Sequence, residues 1–367
     1  MKRKQSKSKI FSLSNANKLW IALSLMLLGF ILSLFSRYMD GFADGYYTYV
    51  YRYLSVVLAF VFNLFPFSVA EICIYLLCFV FIGTIVYGVF VVSKKKGIRK
   101  TYWLKVGTNT LLTMSVLFFL FIVFCGINYQ RTSFAQKEHF SVKQYGTDEL
   151  QLVCEYLTDE INSLKEKDLS FTGIREESRI AMNNLSHTYT SLQGYYPKPK
   201  YLLFSEVLSY QQISGVYSFF TVEANYNGDM PLFLQPFTMC HELAHLKGIM
   251  REEEASFVAY LACRNSGNSS LWYSAAISAY SLCMSELYSY DNEVYNEIRD
   301  KLCDGANADI KKKNTFWQQY EGTISRLQSK VNDAYLKANS QASGVSSYNE
   351  VVSLIVNDYI NNNPLVK

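Results

Sequence analysis

The sequence contains no CxxC pair, no regular cysteine framework, no internal repeat and no low-complexity segment. These absences argue against a four-cysteine zinc finger, a disulfide-stapled small fold and a repeat architecture. Five of the eight cysteines follow residue 150, and because five is odd, at least one would stay unpaired in an oxidising compartment. The net charge is only +4, and many lysines and arginines flank apolar runs, which favours a membrane protein over a nucleic-acid-binding protein.

Half of the residues are hydrophobic, and the long apolar runs are concentrated in the first third of the chain. Three runs, at about residues 18–36, 69–93 and 104–129, are long enough to cross a hydrocarbon core of about 30 Å as helices. We expect the first to remain as an uncleaved anchor. It is long for a signal peptide, and no small-x-small cleavage site follows it.

Residues 54–67 form a further apolar stretch, which Asn63 and Pro66 interrupt. We expect an interfacial or re-entrant helix here that leads into the second span. The alternative is a fourth true span, which would reverse the side of the membrane on which the C-terminal part lies.

Basic residues distinguish these topologies. They precede the first span and lie between the second and third, whereas the connection between the first and second carries only two arginines, offset by two aspartates. This bias predicts that the N-terminus and the 94–105 loop are cytoplasmic. Residues 1–130 are then a three-helix membrane anchor, and residues 131–367 form an extracytoplasmic domain. The basic residues are Lys2, Arg3, Lys4, Lys7, Lys9 and Lys18, followed by Lys94, Lys95, Lys96, Arg99, Lys100 and Lys105.

The domain after residue 130 is expected to be mainly α, with a small sheet before a helix that carries the motif HELAH. Pro236 suits the first turn of that helix and Gly248 its C-cap, and another helix follows from near Arg251 to about Arg264. The other expected elements are helices at about 146–168 and 175–192, a short strand at 200–209, one or two strands at 214–227, and helices at about 271–290, 291–303, 312–340 and 347–361.

The HELAH motif predicts a zinc site. His241 and His245 are four residues apart, so both imidazoles lie on one face of a helix and can bind one Zn²⁺. Glu242 is rotated by about 100° from His241 and can reach a water that the zinc activates. Its expected role is the general base, which takes a proton from that water and later passes it to the leaving amine.

A catalytic zinc needs a third protein ligand and one open position. One class of HExxH peptidases uses a third histidine in HExxHxxGxxH, but position 251 is arginine here, which argues against that class. The other class takes a glutamate from the following helix, and Glu252 fits that register. Glu253 is the main alternative, and Glu254 is a third candidate.

An ordinary exposed helix is the alternative to a zinc site, because HExxH has only three fixed letters and occurs by chance. Met239, Cys240, Leu243 and Ala244 nevertheless make this helix largely apolar. Two histidines and a glutamate on such a helix need partners. The motif also holds two of the four histidines in the chain. Both observations favour the metal site.

The stretch from Gly215 to Cys263 resembles the bacterial family called domain of unknown function 3810. Pro66-Phe67-Ser68, which precedes a membrane run, and Tyr335-Leu336-Lys337-Ala338-Asn339, with Gly344-Val345 and Tyr348, extend the likeness over nearly the whole chain. The resemblance implies a three-span membrane protein with a zincin-like motif.

More distantly, the motif is similar to the glutamate-zincin peptidases. This likeness implies a zincin-like α+β domain, with His241, Glu242 and His245 in the roles given above and Glu252 as the third ligand. Ser256 stands where an asparagine or aspartate is usual, and that position orients a metal ligand.

A strand over residues 221–225 is a candidate edge strand that could bind a peptide by main-chain pairing, with Glu223 and Asn225 at the substrate. The alternative is a strand whose polar residues face water. The sequence thus favours a membrane-tethered, extracytoplasmic zinc endopeptidase. Its expected partners are an envelope protein or peptide and the lipid bilayer, without nucleic acid. The rival hypotheses are a catalytically inactive zincin-like sensor or scaffold and a hydrolase of non-peptide amides.

Overall fold

The long apolar runs of the first third form helices. The computed structural model describes residues 14–140, 142–341 and 347–362; Lys2, Arg3, Lys4, Lys7, Lys9 and Gly344-Val345 lie outside them. The first helices are α1 (Asn15–Tyr38), α2 (Phe42–Tyr46), α3 (Arg52–Asn63), α4 (Val69–Phe90) and α5 (Lys96–Phe124), with a π-helical turn at Tyr47–Tyr51.

Among the described residues, three helices are long and apolar enough to cross a membrane, judged by length and composition: Asn15–Tyr38, Val69–Lys94 and Gly97–Gln130. The predicted loop at 94–105 is wrong in extent, because α5 already begins at Lys96. Lysine and arginine are good helix formers, so the basic stretch continues the helix. Residues 54–67 lie mostly in α3, which continues α2 and the π-helical turn without a break, and this stretch is not one of the three candidate spans among the described residues.

Small residues set the packing of the apolar helices. Gly29 of α1 lies against Phe118 of α5, where an added Cβ would be 2.9 Å from the ring. Gly88 of α4 likewise lies against Tyr102 and Trp103 near the start of α5. These glycines let α1 and α5, and the adjoining ends of α4 and α5, approach closely.

The rest of the chain is mainly helical with one small sheet. Its elements are α6 (Phe134–Lys137), α7 (Thr147–Lys165), α8 (Ile174–Leu185), β1 (Lys200–Tyr201), α9 (Ser205–Tyr210), β2 (Gly215–Ser218), β3 (Glu223–Tyr226), α10 (Gln235–His245), α11 (Glu252–Arg264), α12 (Ser269–Tyr290), α13 (Asn292–Asp300), α14 (Asp304–Gln318), α15 (Thr323–Ala338) and α16 (Ser347–Asn362).

Two sequence expectations for this part are wrong. The strand at 200–209 is only two residues long, and α9 follows it. The single helix at 312–340 is two helices, because the chain is extended at Gly322 and helix α15 starts beyond it. Glycine weakens a helix interior by about 1 kcal/mol relative to alanine, which favours the break there.

The sheet has the order β1-β3-β2, so β3 is its central strand. β1 pairs with β3 in parallel, with Lys200 opposite Asn225. β2 pairs with β3 antiparallel, with Gly215 opposite Tyr226. Among the described residues, β2 is therefore an edge of the sheet.

The core surrounds α10 and α11. Residues 253–263 of α11 are all buried, and the helix packs against α10, α8, α12 and α16. Alanines at 255, 259 and 262 allow this close packing, and Leu243 of α10 is fully buried between the helices. Truncating such a leucine to alanine costs about 2–5 kcal/mol.

The apolar helices contact the rest of the protein at the C-terminal end of α10. Tyr51 donates a hydrogen bond of 3.1 Å to the carbonyl of Leu246. Arg131 donates to the carbonyls of Lys247 and Gly248, at 2.9 and 3.0 Å. Its guanidinium lies 3.4 Å from the ring centre of Tyr47. A cation here also suits the negative end of the helix dipole.

Candidate metal centre

The helix that carries the two histidines has defined ends. Pro236 lies in the first turn of α10, where a missing N–H costs little. Gly248 follows the helix with φ +71°, a conformation that favours glycine. A Cβ at position 248 would also lie 2.6 Å from the Arg131 guanidinium. The turn beyond α10 therefore requires glycine, and it brings α11 back beside the motif.

Both histidine rings are oriented through Nδ1. Nδ1 of His241 lies 3.1 Å from Oγ of Ser256, and Nδ1 of His245 lies 2.7 Å from the carbonyl oxygen of Ile249. The ring centres are 4.8 Å apart with perpendicular planes. A hydrogen bond to one ring nitrogen leaves the other as the ligand atom, so the Nε2 atoms are the candidate metal ligands.

The Nε2 atoms converge on one carboxylate. Oε2 of Glu252 lies 3.2 Å from Nε2 of His241 and 3.9 Å from Nε2 of His245. One potential ligand atom from each residue lies within 4.8 Å of the others. Two tetrahedral ligands at about 2.0–2.2 Å from a zinc ion are about 3.4 Å apart. The donor set and spacing therefore fit a single Zn²⁺.

Burial and charge set the protonation of these groups. Burial lowers the pKa of His245 to about 4, so the ring is neutral at pH 7, as a metal ligand must be. Burial also opposes the charged form of His241, but the hydrogen bond and charge of Glu252 outweigh it and raise that pKa. Burial raises the pKa of Glu242 to about 8, against the charge of His241.

The other two acidic residues of the cluster point elsewhere. Glu253 accepts a hydrogen bond of 2.8 Å from Nε2 of Gln341. Glu254 accepts one of 3.2 Å from the backbone N–H of Ala135. Of the three glutamates, Glu252 is the one whose oxygen reaches both histidines.

Glu242 lies against the edge strand of the sheet. Its side chain is buried, and a Cβ on Gly215 would lie 2.5 Å from its Oε1. Glycine at 215 therefore allows β2 to approach the candidate base directly. The next turn of α10 meets the same strand, since Tyr217 lies beside His245 with ring centres 6.1 Å apart.

The expected edge strand at 221–225 is wrong, because β3 is paired on both sides. Glu223 forms a buried ion pair with Lys200 and accepts hydrogen bonds from the backbone N–H groups of Val69 and Ala70. Asn225 is also fully buried, and its side chain donates to the carbonyls of Val216 and Glu223. The structure thus uses Glu223 to hold the start of α4.

A family model described as "Protein of unknown function (DUF3810)" matches residues 46–356, which is most of the chain. The chain belongs to the DUF3810 family. No curated protein and no solved structure matches it. The matched range includes α10, α11 and the sheet, so the candidate metal centre lies within the DUF3810 region.

Several residues that shape the site in this DUF3810 chain were not singled out from the sequence. Gly215 contacts Glu242, and Tyr51, before α3, and Arg131, shortly after α5, donate hydrogen bonds to carbonyls at the end of α10. Oη of Tyr51 also lies 3.2 Å from the hydroxyl of Tyr217. Position 215 carried a signal, because a glycine within a strand often marks a close approach. The hydrogen bonds of Arg131 and Tyr51 join residues more than 110 positions apart in the sequence, so the local sequence pattern could not predict them.

Proposed function

We propose that this DUF3810 protein is a membrane-anchored zinc metallopeptidase. His241, His245 and Glu252 would bind the zinc, and Glu242 would act as the general base. The observation that carries the proposal is the convergence of two Nε2 atoms on Oε2 of Glu252, at 3.2 and 3.9 Å, with both Nδ1 atoms already hydrogen-bonded.

Zinc bound at this site would polarise a carbonyl and lower the pKa of water towards about 7. The protein's own contribution is proton transfer and orientation. Glu242 would accept the proton of the attacking water and deliver it to the leaving amine. Ser256 and the carbonyl of Ile249 would keep the histidine rings oriented as ligands.

The substrate main chain is expected along β2. This strand is an edge among the described residues, and Gly215 places its backbone against Glu242. An extended peptide that pairs with an edge strand is held by main-chain hydrogen bonds, which are independent of side-chain identity. Pairing with β2 therefore replaces the earlier expectation for Glu223 and Asn225.

The proposed location is the cell membrane, with the metal centre on the extracytoplasmic side. Three helices have the length and composition to cross a membrane, and the basic residues flank the N-terminal end and the short connection before α5. The positive-inside bias then leaves residues 131–367 outside. An envelope protein or peptide is the substrate that this location makes available.

Metal analysis together with a cleavage assay tests the proposal. The full chain, purified in detergent, is expected to hold one zinc and to cleave an unfolded protein in a chelator-sensitive way. Glu242→Gln should keep the zinc and abolish cleavage. Cleavage that survives this substitution would show that the assigned base is wrong. Zinc binding without any cleavage by the wild type would instead support an inactive sensor or scaffold.

A further inference from the structure

Helix α15 carries an apolar stripe that faces solvent. Ile324, Leu327 and Val331 are 55, 62 and 55% exposed, and their spacing places them on one helical face, which Tyr335 continues. The opposite face is charged. Its residues are Arg326, Lys330, Asp333 and Lys337. A helix with an apolar face and a largely basic opposite face is typical of helices that lie in a membrane interface.

The end of α15 is attached to the ends of two apolar helices. The ring of Tyr335 lies 6.0 Å from that of Phe121 of α5. Arg37 at the end of α1 donates a hydrogen bond of 2.5 Å to the carbonyl of Ala338. Phe121 precedes the end of α5 by about one turn, so the stripe begins level with the last turn of α5.

A second exposed apolar patch adjoins the start of α4. Leu203, Phe204 and Val207 are 54, 60 and 54% exposed. The backbone N–H groups of Leu203 and Phe204 donate to Glu71, at 2.9 and 3.0 Å. The ring of Phe204 lies 5.4 Å from that of Tyr75. Tyr75 is six residues beyond the start of α4, which is about 9 Å along the helix.

The two patches are joined. The rings of Tyr210 and Tyr320 are 5.0 Å apart, and Gln212 donates a hydrogen bond of 2.7 Å to the carbonyl of Trp317. Tyr210 ends α9, and Tyr320 lies in the turn that leads to α15. These contacts therefore connect the exposed apolar patch at the start of α4 with α15, whose stripe leads to the end of α5.

The candidate metal centre lies near the end of α5 as well. Sδ of Met250 is 3.7 Å from Sγ of Cys125, which directly follows α5. Met250 precedes Glu252 by two residues. The candidate ligand Glu252 therefore lies two residues along the chain from a residue that contacts the C-terminal end of α5.

We propose that the stripe of α15 and the patch formed by Leu203, Phe204 and Val207 lie in the outer leaflet of the bilayer, and that the metal centre acts on polypeptide segments that leave the bilayer beside it. The second half of this inference rests on the proposed function. Lipid is the occupant favoured here, because both patches continue the ends of apolar helices and the opposite face of α15 is basic. A second copy of the protein bound to these patches would require neither their continuity with the apolar helices nor a basic opposite face.

Site-directed fluorescence in lipid nanodiscs tests whether the apolar stripe of α15 lies in the bilayer. The full chain is used with Cys73, Cys78 and Cys303, the cysteines that are not buried, replaced by alanine. Bimane is attached at Leu327→Cys or at Ser329→Cys, an exposed position on the opposite face. Doxyl lipids should quench the label at 327 several-fold more than the label at 329, and iodide should show the reverse order. Equal quenching by iodide, or protection of 327 from both quenchers by a protein contact, would overturn the proposal.

A pair of reporters tests the substrate class separately. One is a cleavable peptide placed directly after a transmembrane helix in the same nanodisc, and the other is the same peptide in solution. Leu327→Glu should slow cleavage of the anchored reporter several-fold and leave the soluble one unchanged, whereas Ser329→Glu should change neither. Equal losses on both reporters would overturn the substrate assignment. If the wild type cleaves neither reporter, the proposed function fails. The bimane result still decides whether the stripe of α15 lies in the bilayer.

Discussion

A methyl group at position 215 would lie 2.5 Å from Oε1 of Glu242 and 2.7 Å from Cγ2 of Thr238. The edge strand and the helix that carries the histidines are therefore in direct contact at the candidate base. A Cβ atom is not found this close to another heavy atom, so with any other residue at 215 the strand or the carboxylate would have to move. The position of Glu242 depends on a residue that has no side chain.

Gly215→Ala should therefore displace Glu242 without removing a ligand. We expect hydrolysis to fall by up to about 10²-fold, the scale of a displacement of about 1 Å at a catalytic group. Zinc content should remain at the wild-type level. Gly228→Ala is the matched control, because a Cβ there would meet Tyr201 at an ordinary 3.4 Å. Wild-type turnover by Gly215→Ala would contradict a direct role for this contact.

The assignment of the third ligand predicts unequal effects of two neighbouring substitutions. Glu252→Gln removes the carboxylate that reaches both histidines. Losing a residue that only hydrogen-bonds to a metal ligand lowers metal affinity by about 10–100-fold. Losing Glu252 should lower zinc affinity by more than this. Glu253→Gln should retain zinc, since its partner is Gln341. Zinc titration against a competing chelator measures both. Zinc loss in Glu253→Gln with retention in Glu252→Gln would reverse the assignment.

Ser256 contacts Nδ1 of His241, a candidate zinc ligand, and this gives a prediction distinct from that for Glu252. Ser256→Ala removes the hydroxyl 3.1 Å from Nδ1 of His241, so zinc affinity should fall by about 10–100-fold. The fold should be retained, because the change deletes a single atom. Ser278→Ala is the control, since that hydroxyl donates to the carbonyl of Ser274 in the preceding turn of its own helix. Equal zinc affinity in the two variants would contradict the orienting role.

The sequence was informative where the geometry is local. The four-residue spacing of His241 and His245 fixes a shared helix face, and the short connection to Glu252 limits where its carboxylate can lie. The sheet order was not predictable from the same pattern. β3 becomes the central strand through pairing with Lys200–Tyr201, which lies more than 20 residues earlier. Whether a polar strand residue such as Glu223 faces substrate or a buried lysine depends on that distant partner.

Lys247 predicts a pH dependence of stability. Burial, assisted by the charge of Arg52, lowers the pKa of Lys247 from 10.5 to about 7. Between these pH values the unfolded chain binds a proton that the folded chain does not. Stability should therefore rise with pH by up to about 1.4 kcal/mol per unit over this window. Below about pH 7 both states are protonated, and this contribution becomes constant.

Lys247→Met should remove this dependence. The Tm of the variant relative to wild type, measured by circular dichroism in detergent, should be highest at pH 7 and fall towards pH 9. The lost hydrogen bond from Lys247 to the carbonyl of Tyr195 should shift both values by a similar amount. Lys301→Met, at a side chain that is 56% exposed, should show the same Tm difference at both pH values. An unchanged pH slope in Lys247→Met would contradict the burial argument.

Glu223 distinguishes a substrate-binding role from a structural one. Its carboxylate pairs with the ammonium of Lys200, and the side chains of Glu223 and Lys200 are only 3 and 4% exposed. Glu223→Gln leaves that ammonium buried without a counter-charge and weakens the negative charge at the start of α4. The expected loss of stability is about 3–5 kcal/mol, because breaking one partner of a buried ion pair costs more than removing both.

The double variant Lys200→Met/Glu223→Gln should recover much of this loss, since it removes the orphaned charge together with its partner. Thermal unfolding in detergent measures both variants, and zinc content and peptide cleavage are recorded on the same samples. The structural role requires that cleavage by the double variant stay near the wild-type rate per folded molecule. If Glu223→Gln unfolds like the wild type but raises KM for a peptide, the carboxylate faces substrate after all. The structural role assigned to Glu223 through Lys200, Val69 and Ala70 would then be wrong.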